Sequence, residues 1–222
     1  MLTHAQTLSL IQDTGVVLII RLDDADKALE VARAAVAGGI RALEITLSVP
    51  RALELVTTLA DEFAGTGVAV GAGTVIDADS AVRAIHAGAS LLVSPQLDPA
   101  MIATGRRHGV VTIGGALTPT EIVQTLRAGA DLVKLFPTEI AGPDYLRAVR
   151  APLASVPILP AGGVTVDTVG PWFAAGAVAV GVGSAVTRAG SAGDVTRAAR
   201  EMLAAVAAAR RSPVTAPHRE EA

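Results

Sequence analysis

The chain has 222 residues, half of them apolar, with a net charge of −3, 2% aromatic residues and no cysteine. That apolar content supports one domain with a substantial core, while the missing cysteine removes a disulfide framework, a thiolate nucleophile and a cysteine metal site. The lack of a basic block and of aromatics argues against a nucleic-acid partner. The first twelve residues have neither a basic start nor an apolar segment of signal-peptide type. No apolar run reaches the 18 or so residues of a membrane span, so the expectation is a soluble cytoplasmic protein without a membrane partner. Residues 1–211 read as one domain, and residues 212–222, rich in Pro and charge, as a disordered tail.

In chain order, residues 3–14 have helical spacing and stop near Gly15. Residues 16–20 are a continuous apolar run, the mark of a buried parallel strand. Asp23-Asp24 offers an N-cap for a helix over 25–37, closed by Gly38-Gly39. A second strand is predicted over 41–47, and Pro50 opens a helix to about Phe63. The third strand covers 68–70 and runs into Gly71-Ala72-Gly73-Thr74. Asp77 caps a helix ending near Gly88, the fourth strand covers 89–93, and Ser94-Pro95 stops it. Asp98-Pro99 starts a helix that ends at His108-Gly109, before a fifth strand over 110–113. Thr118-Pro119-Thr120-Glu121 is a capping box with Pro at N1, and its helix ends at Gly129. The sixth strand lies within 131–137, followed by a helix over about 145–149 and a seventh strand over 156–159. A helix over 165–174, an eighth strand over 177–182 and a last helix over about 194–210 complete the chain.

The pattern is eight strands, each followed by a helix. Ala37-Gly38-Gly39, Ala87-Gly88-Ala89, Ala128-Gly129-Ala130 and Ala175-Gly176-Ala177 recur every 40 to 50 residues, each a helix stop just before an apolar run. The count predicts a single (β/α)8 TIM barrel of the α/β class with an extra N-terminal helix. The rival is a doubly wound open sheet, whose first turn should carry G-x-G-x-x-G; here the first strand is followed by Arg21-Leu22-Asp23-Asp24.

Chemistry is sought at the C-terminal ends of barrel strands. Lys134, one of two lysines against sixteen arginines, sits inside the apolar sixth strand. The other lysine, Lys27, lies in a polar helical stretch. Desolvation opposes the charge of a buried amine and makes it nucleophilic; an ordinary lysine is neutral only about once in 2,500 at pH 7. A structural ion pair is the plain alternative. Alternation places Glu44 with Ala42 and Thr46, opposite Leu43 and Ile45, and Lys134 opposite Val133 and Leu135. If the odd residues pack on helices, carboxylate and amine both point into the barrel, an arrangement suited to imine chemistry. Gly162-Gly163 after the seventh strand and Gly183-Ser184 after the eighth stand where such barrels bind phosphate, with tight turns as the alternative. The four histidines have no metal-site spacing, so no metal and no cofactor are expected.

Gly38 to Leu47, Gly71-Ala72-Gly73-Thr74-Val75, Val93-Ser94-Pro95, Lys134-Leu135-Phe136-Pro137, Gly162-Gly163 and Gly183-Ser184 occur in order and in register. Together they resemble the 2-dehydro-3-deoxy-phosphogluconate (KDPG) and 4-hydroxy-2-oxoglutarate (KHG) aldolases over about residues 15–210. The resemblance implies a homotrimeric class I aldolase acting on a phosphorylated keto acid without a metal. Carried over by position, Lys134 is the Schiff-base lysine and Glu44 the general acid/base. Thr74, Pro95 and Phe136 line a pyruvate pocket, and Gly162, Gly163, Gly183 and Ser184 hold the phosphate.

One position departs. Gluconate-type enzymes carry a carboxylate-binding arginine where this chain has Ser48. Galactonate-type enzymes lack it and carry an arginine at the end of strand one, which Arg21 matches. Gly142-Pro143-Asp144-Tyr145 and Arg188-Ala189-Gly190 also resemble the galactonate type, whereas Ile45-Thr46 resembles the gluconate type. Arg21 is therefore the expected carboxylate ligand. Cleavage of 4-hydroxy-2-oxoglutarate, a phosphate-binding barrel isomerase or synthase, and a non-catalytic phosphometabolite-binding barrel remain the alternatives.

Overall fold

In the computed structural model, which describes residues 2–211, nine of the ten helices and all eight strands grow from local signals in the sequence. Residues 212–222, read as a tail, lie outside the described residues. The strands are β1 (Val16–Ile20), β2 (Ala42–Thr46), β3 (Ala69–Gly73), β4 (Leu91–Val93), β5 (Val111–Ala116), β6 (Leu132–Leu135), β7 (Ile158–Pro160) and β8 (Val180–Val182). The helices are α1 (His4–Thr14), α2 (Ala25–Ala37), α3 (Ala52–Glu62), α4 (Ala78–His86), α5 (Pro99–His108), α6 (Pro119–Arg127), α7 (Pro143–Arg150), α8 (Val169–Ala174), α9 (Ser184–Thr187) and α10 (Ala192–Arg211), with a 3-10 turn at Thr138–Ile140. None of the helices among the described residues is long and apolar enough to cross a membrane.

All strand pairs are parallel, in the order β7-β6-β5-β4-β3-β2-β1-β8. A single bridge, Ala161 to Gly181, and a 3.0 Å bond from the Val178 amide to the Ile158 carbonyl join β7 to β8 and close the ring. Two apolar layers follow from strand alternation. Leu18, Leu43, Ile45, Val133, Leu135, Val180 and Val182 face outward and bury against the helices. Val17, Ala42, Ala69, Leu91, Val93, Val111, Ile113, Leu132, Leu159 and Ala179 fill the barrel interior. Ile11 of α1 belongs to this inner cluster, with Leu8 packed against it, so α1 plugs the N-terminal floor of the barrel. The plug is tied down where His4 Nε2 meets Asp131 Oδ1 at 2.8 Å, while Asp131 Oδ2 accepts from the Thr112 amide and hydroxyl.

Several boundaries differ from the sequence reading for identifiable reasons. β3 and β5 run on through Gly71, Gly73, Gly114 and Gly115, because these glycines lie under close neighbours rather than in turns. The helix placed at Pro50 begins at Ala52, since Arg51 takes a left-handed conformation (φ +56°) just before it. The helix placed at residue 165 begins at Val169: the Thr168 hydroxyl accepts from the Thr165 amide and forms a turn first. β8 begins at Val180 and α7 at Pro143, two residues before Tyr145. The 3-10 turn after β6 and the four-residue α9 have no apolar period long enough to be read.

Candidate active site

Strands β2 and β6 stand four places apart in an eight-strand ring and so face each other across its axis. The alternation that buries Leu43, Ile45, Val133 and Leu135 outside turns Glu44 and Lys134 inside. Lys134 Nζ lies 3.5 Å from Glu44 Oε1, with the two residues 5% and 1% exposed. This is longer than the roughly 2.8 Å of a tight charge-assisted bond. The separation suits two groups that address a common third atom rather than each other, and such bonds often tighten only with substrate bound.

The surroundings fix both side chains. Gly73 faces inward directly beneath the carboxylate of Glu44, and a methyl group there would overlap Oε1. Gly115 has the corresponding role on β5: a methyl group would overlap the backbone of Pro95 and Gln96, and the Gly115 amide instead donates to the Gln96 carbonyl at 3.0 Å. Pro95 is thereby laid across the mouth of the barrel. Phe136, two residues beyond Lys134 on the same side of the chain, puts its ring centroid 5.5 Å from the amine, within range of a favourable cation–π contact.

A cavity of about 370 Å³ opens above this pair. Its wall contains Arg21, Lys134, Phe136, Gly162, Gly163, Gly183 and Ser184, so seven of the ten residues singled out from the sequence meet there. The other three stand just outside the wall: Glu44 below it, Pro95 against β5, and Thr74 beyond Arg21. Arg21 Nη2 donates to Thr74 Oγ1 at 3.2 Å, which draws the guanidinium from β1 across the end of β2 to β3. Thr74 has φ +59°. A left-handed conformation is unusual for a β-branched residue and stores strain of about 1–3 kcal/mol. Ser48, at the departing position, bonds instead to Thr46 Oγ1 at 2.9 Å.

The two glycine loops flank the seam between β7 and β8. Gly162 and Gly163 have φ +117° and +62°, values that favour glycine. The hydroxyl of Thr138 donates to the Gly162 carbonyl and fastens the 3-10 turn to this loop. On the other side, Ser184 and Ala185 begin α9, where backbone N–H groups lack helical acceptors. Loop and helix start together offer an anion several N–H donors and a hydroxyl.

Sequence reasoning missed Gly73, Gly115, Glu139, Thr187 and Arg188. Gly73 and Gly115 lie beyond the ends read for the third and fifth strands, because glycine breaks the apolar period. Arg188 stood in a motif taken from the sequence, but only as a mark of the galactonate type; it and Thr187 line the cavity. Glu139 lines it too, five residues after Lys134, and a second cavity of about 600 Å³ lies on the other side of Glu139, Gly162 and Gly163.

Next to the mouth, Glu121 of α6 accepts from the Thr118 and Leu117 amides and the Thr118 hydroxyl. The Thr118 backbone, then the Leu117 backbone and the Thr118 hydroxyl, hold this carboxyl below its ordinary range. Tyr145 donates to the Leu117 carbonyl at 2.6 Å. Burial first, and the charge of Glu121 second, push its hydroxyl above the usual phenol range. The three histidines among the described residues keep to the opposite end: His4 pins the plug, and the rings of His86 and His108 meet edge to face where α4 and α5 end. Among the described residues no three His, Asp or Glu side chains converge on a common point that would suit a metal ion.

The model of the family "KDPG and KHG aldolase" matches residues 8–200. The 2-dehydro-3-deoxy-6-phosphogalactonate aldolase of Escherichia coli is 32% identical over 195 residues, 87% of this chain and 94% of that protein. The 2-dehydro-3-deoxy-phosphogluconate aldolase of Treponema pallidum is 34% identical over 175 residues, 78% of this chain and 81% of that protein. The crystal structure of KDPG aldolase from Legionella pneumophila, with pyruvate captured as a covalent carbinolamine intermediate, superimposes with a TM-score of 0.80 at 25% identity, covering 88% of this chain and 97% of that one. An inward lysine and glutamate facing each other under two glycine loops, in a chain alike to these enzymes over most of its length, leave one assignment: the protein belongs to the KDPG and KHG aldolase family and is a carbon–carbon lyase.

Proposed function

We propose that the protein is a Schiff-base aldolase that cleaves a 2-keto-3-deoxy-6-phospho sugar acid to pyruvate and glyceraldehyde 3-phosphate. The observation that carries the reading is the meeting of Lys134 and Glu44 at 3.5 Å beneath a cavity whose far wall is built from two glycine loops. The carbinolamine captured in the Legionella pneumophila enzyme supports an amine nucleophile. Lys134, in its neutral form, attacks the C2 ketone, and Glu44 passes a proton to the C2 oxygen. Loss of water gives the protonated imine. A base removes the C4 hydroxyl proton, the C3–C4 bond breaks, and its electron pair flows into the imine to give the enamine. The aldehyde leaves, C3 takes a proton with Glu44 taking part, and water returns pyruvate and the free amine. The glycine loops grip the distal phosphate, so binding energy remote from C2 orients the bond that breaks.

Arg21 takes the substrate carboxylate in this reading. Its bond to Thr74 holds the guanidinium over the end of β2, the strand of Glu44, and Ser48 leaves no other arginine there. Cleavage of 4-hydroxy-2-oxoglutarate to pyruvate and glyoxylate is the second reading, favoured by loops whose N–H groups can donate to a carboxylate as well as to a phosphate. The homotrimer implied by the resemblance belongs to the same proposal.

Borohydride reduction in the presence of pyruvate tests the chemistry. The expected result is one stable pyruvyl adduct, mapped to Lys134 by mass spectrometry and lost in Lys134→Ala. An unmodified wild-type protein, or an adduct at another residue, would sink the proposal. Comparing phosphorylated with unphosphorylated substrates then separates the two aldolase readings.

A further inference from the structure

Glu139 is the single carboxylate in the cavity wall among the described residues. Its side chain lies against the loop proposed to hold phosphate: a methyl group at Gly162 would overlap Oε2, and one at Gly163 would come 3.3 Å from its Cγ. The second cavity on its far side leaves it without protein cover there. No donor or ion-pair partner reaches it among the described residues, although Arg188 lines the same cavity. The backbone beneath it is nonetheless held, because Thr138 is buried and bonded to the Gly162 carbonyl.

An ionised carboxylate only accepts hydrogen bonds. Beside an anion loop it disfavours a bare phosphate and requires a donor from the ligand. Beyond C3, the substrate class proposed above has two hydroxyl donors. The one on C4 must surrender its proton in the cleavage; the one on C5 keeps it. Glu139 stands at the Gly162–Gly163 end of the cavity, toward the phosphate arm. We propose that Glu139 is a specificity-determining residue that accepts a hydrogen bond from the C5 hydroxyl, and so selects aldehydes carrying a hydroxyl next to the carbonyl. This rests on the function proposed above.

The test runs the full-length protein in the condensation direction, with pyruvate and one of two acceptors. Glyceraldehyde 3-phosphate carries the hydroxyl; 3-oxopropyl phosphate is the same molecule without it. Glu139→Ala should lower kcat/KM for glyceraldehyde 3-phosphate about tenfold, the size of one hydrogen bond to a charged acceptor. For 3-oxopropyl phosphate it should stay within about twofold, and Glu139→Gln, which keeps an acceptor oxygen, should recover part of the loss. Equal losses on both acceptors would mark a structural role, and gains on both would mark simple repulsion of phosphate; either overturns the inference. Borohydride trapping on the same proteins separates the two claims. Adducts of equal yield without any acceptor-dependent difference overturn the Glu139 role alone, whereas a wild-type protein that forms no adduct overturns the function and this role together.

Discussion

Glu44 keeps its position because Gly73 has no side chain. Gly73→Ala should press a methyl group into Oε1 and swing the carboxylate away from Lys134. The expected outcome is a loss in kcat of about a hundredfold, the scale of one general acid–base group, with about 1–3 kcal/mol lost in urea unfolding from overpacking. Borohydride trapping should slow without disappearing, since the amine remains. Thr74 makes the opposite trade. Thr74→Gly should relax the left-handed backbone and raise stability by about 1 kcal/mol. It should also release Arg21 and raise the KM for keto-acid substrates, as Arg21→Ala should do directly. A KM unchanged in both variants would remove Arg21 from the carboxylate. These two residues also mark the limit of the sequence. Alternation predicted which way Glu44 and Lys134 point, because Leu43, Ile45, Val133 and Leu135 report the outer side unambiguously. The glycines and the exposed Glu139 carry no such signal: their neighbours are far off in the chain.

At the level of elements, helix starts were legible where Asp24, Asp77, Asp98 and Thr118 cap them. They were not legible at α3, α7, α8 and α9, which have no side-chain cap bond. The Thr118–Glu121 box also has a pH signature. Glu121 titrates below its unfolded value because the Thr118 and Leu117 backbone amides favour its charged form. Its contribution is therefore present above the ordinary glutamate range, about 4.3, and is lost as pH falls through the lower folded value. Glu121→Gln should cost about 1 kcal/mol at neutral pH, typical of a capping interaction. Unfolding curves of the two proteins should converge as the pH drops below that range. A gap that persists in acid would mean packing, not charge, explains it.

For the molecule as a whole, the eight-fold count of strands was visible because seven of the eight apolar runs follow a glycine stop, the seventh run being the exception. The role of α1 was not, since nothing local says that Ile11 ends up inside a ring formed by residues 16–182. Ile11→Ala should destabilise the protein by about 2–3 kcal/mol, within the range for a buried isoleucine. Pyruvate trapping should be unaffected, because the plug and the site occupy opposite ends of the barrel. Loss of trapping alongside an intact fold would show that floor and mouth are coupled.

The seam between β7 and β8 gives the ring a preferred place to breathe, since one bridge and one further amide bond do there what full ladders do elsewhere. Both glycine loops spring from its two lips. In the proposed function, an anion held by Gly162–Gly163 on one lip and Ser184 on the other would act as a rivet across the crack. Amide exchange around Ala161 and Gly181 should then slow when phosphate occupies the loops, and the molecule would be most firmly shut at the moment its cargo is aboard.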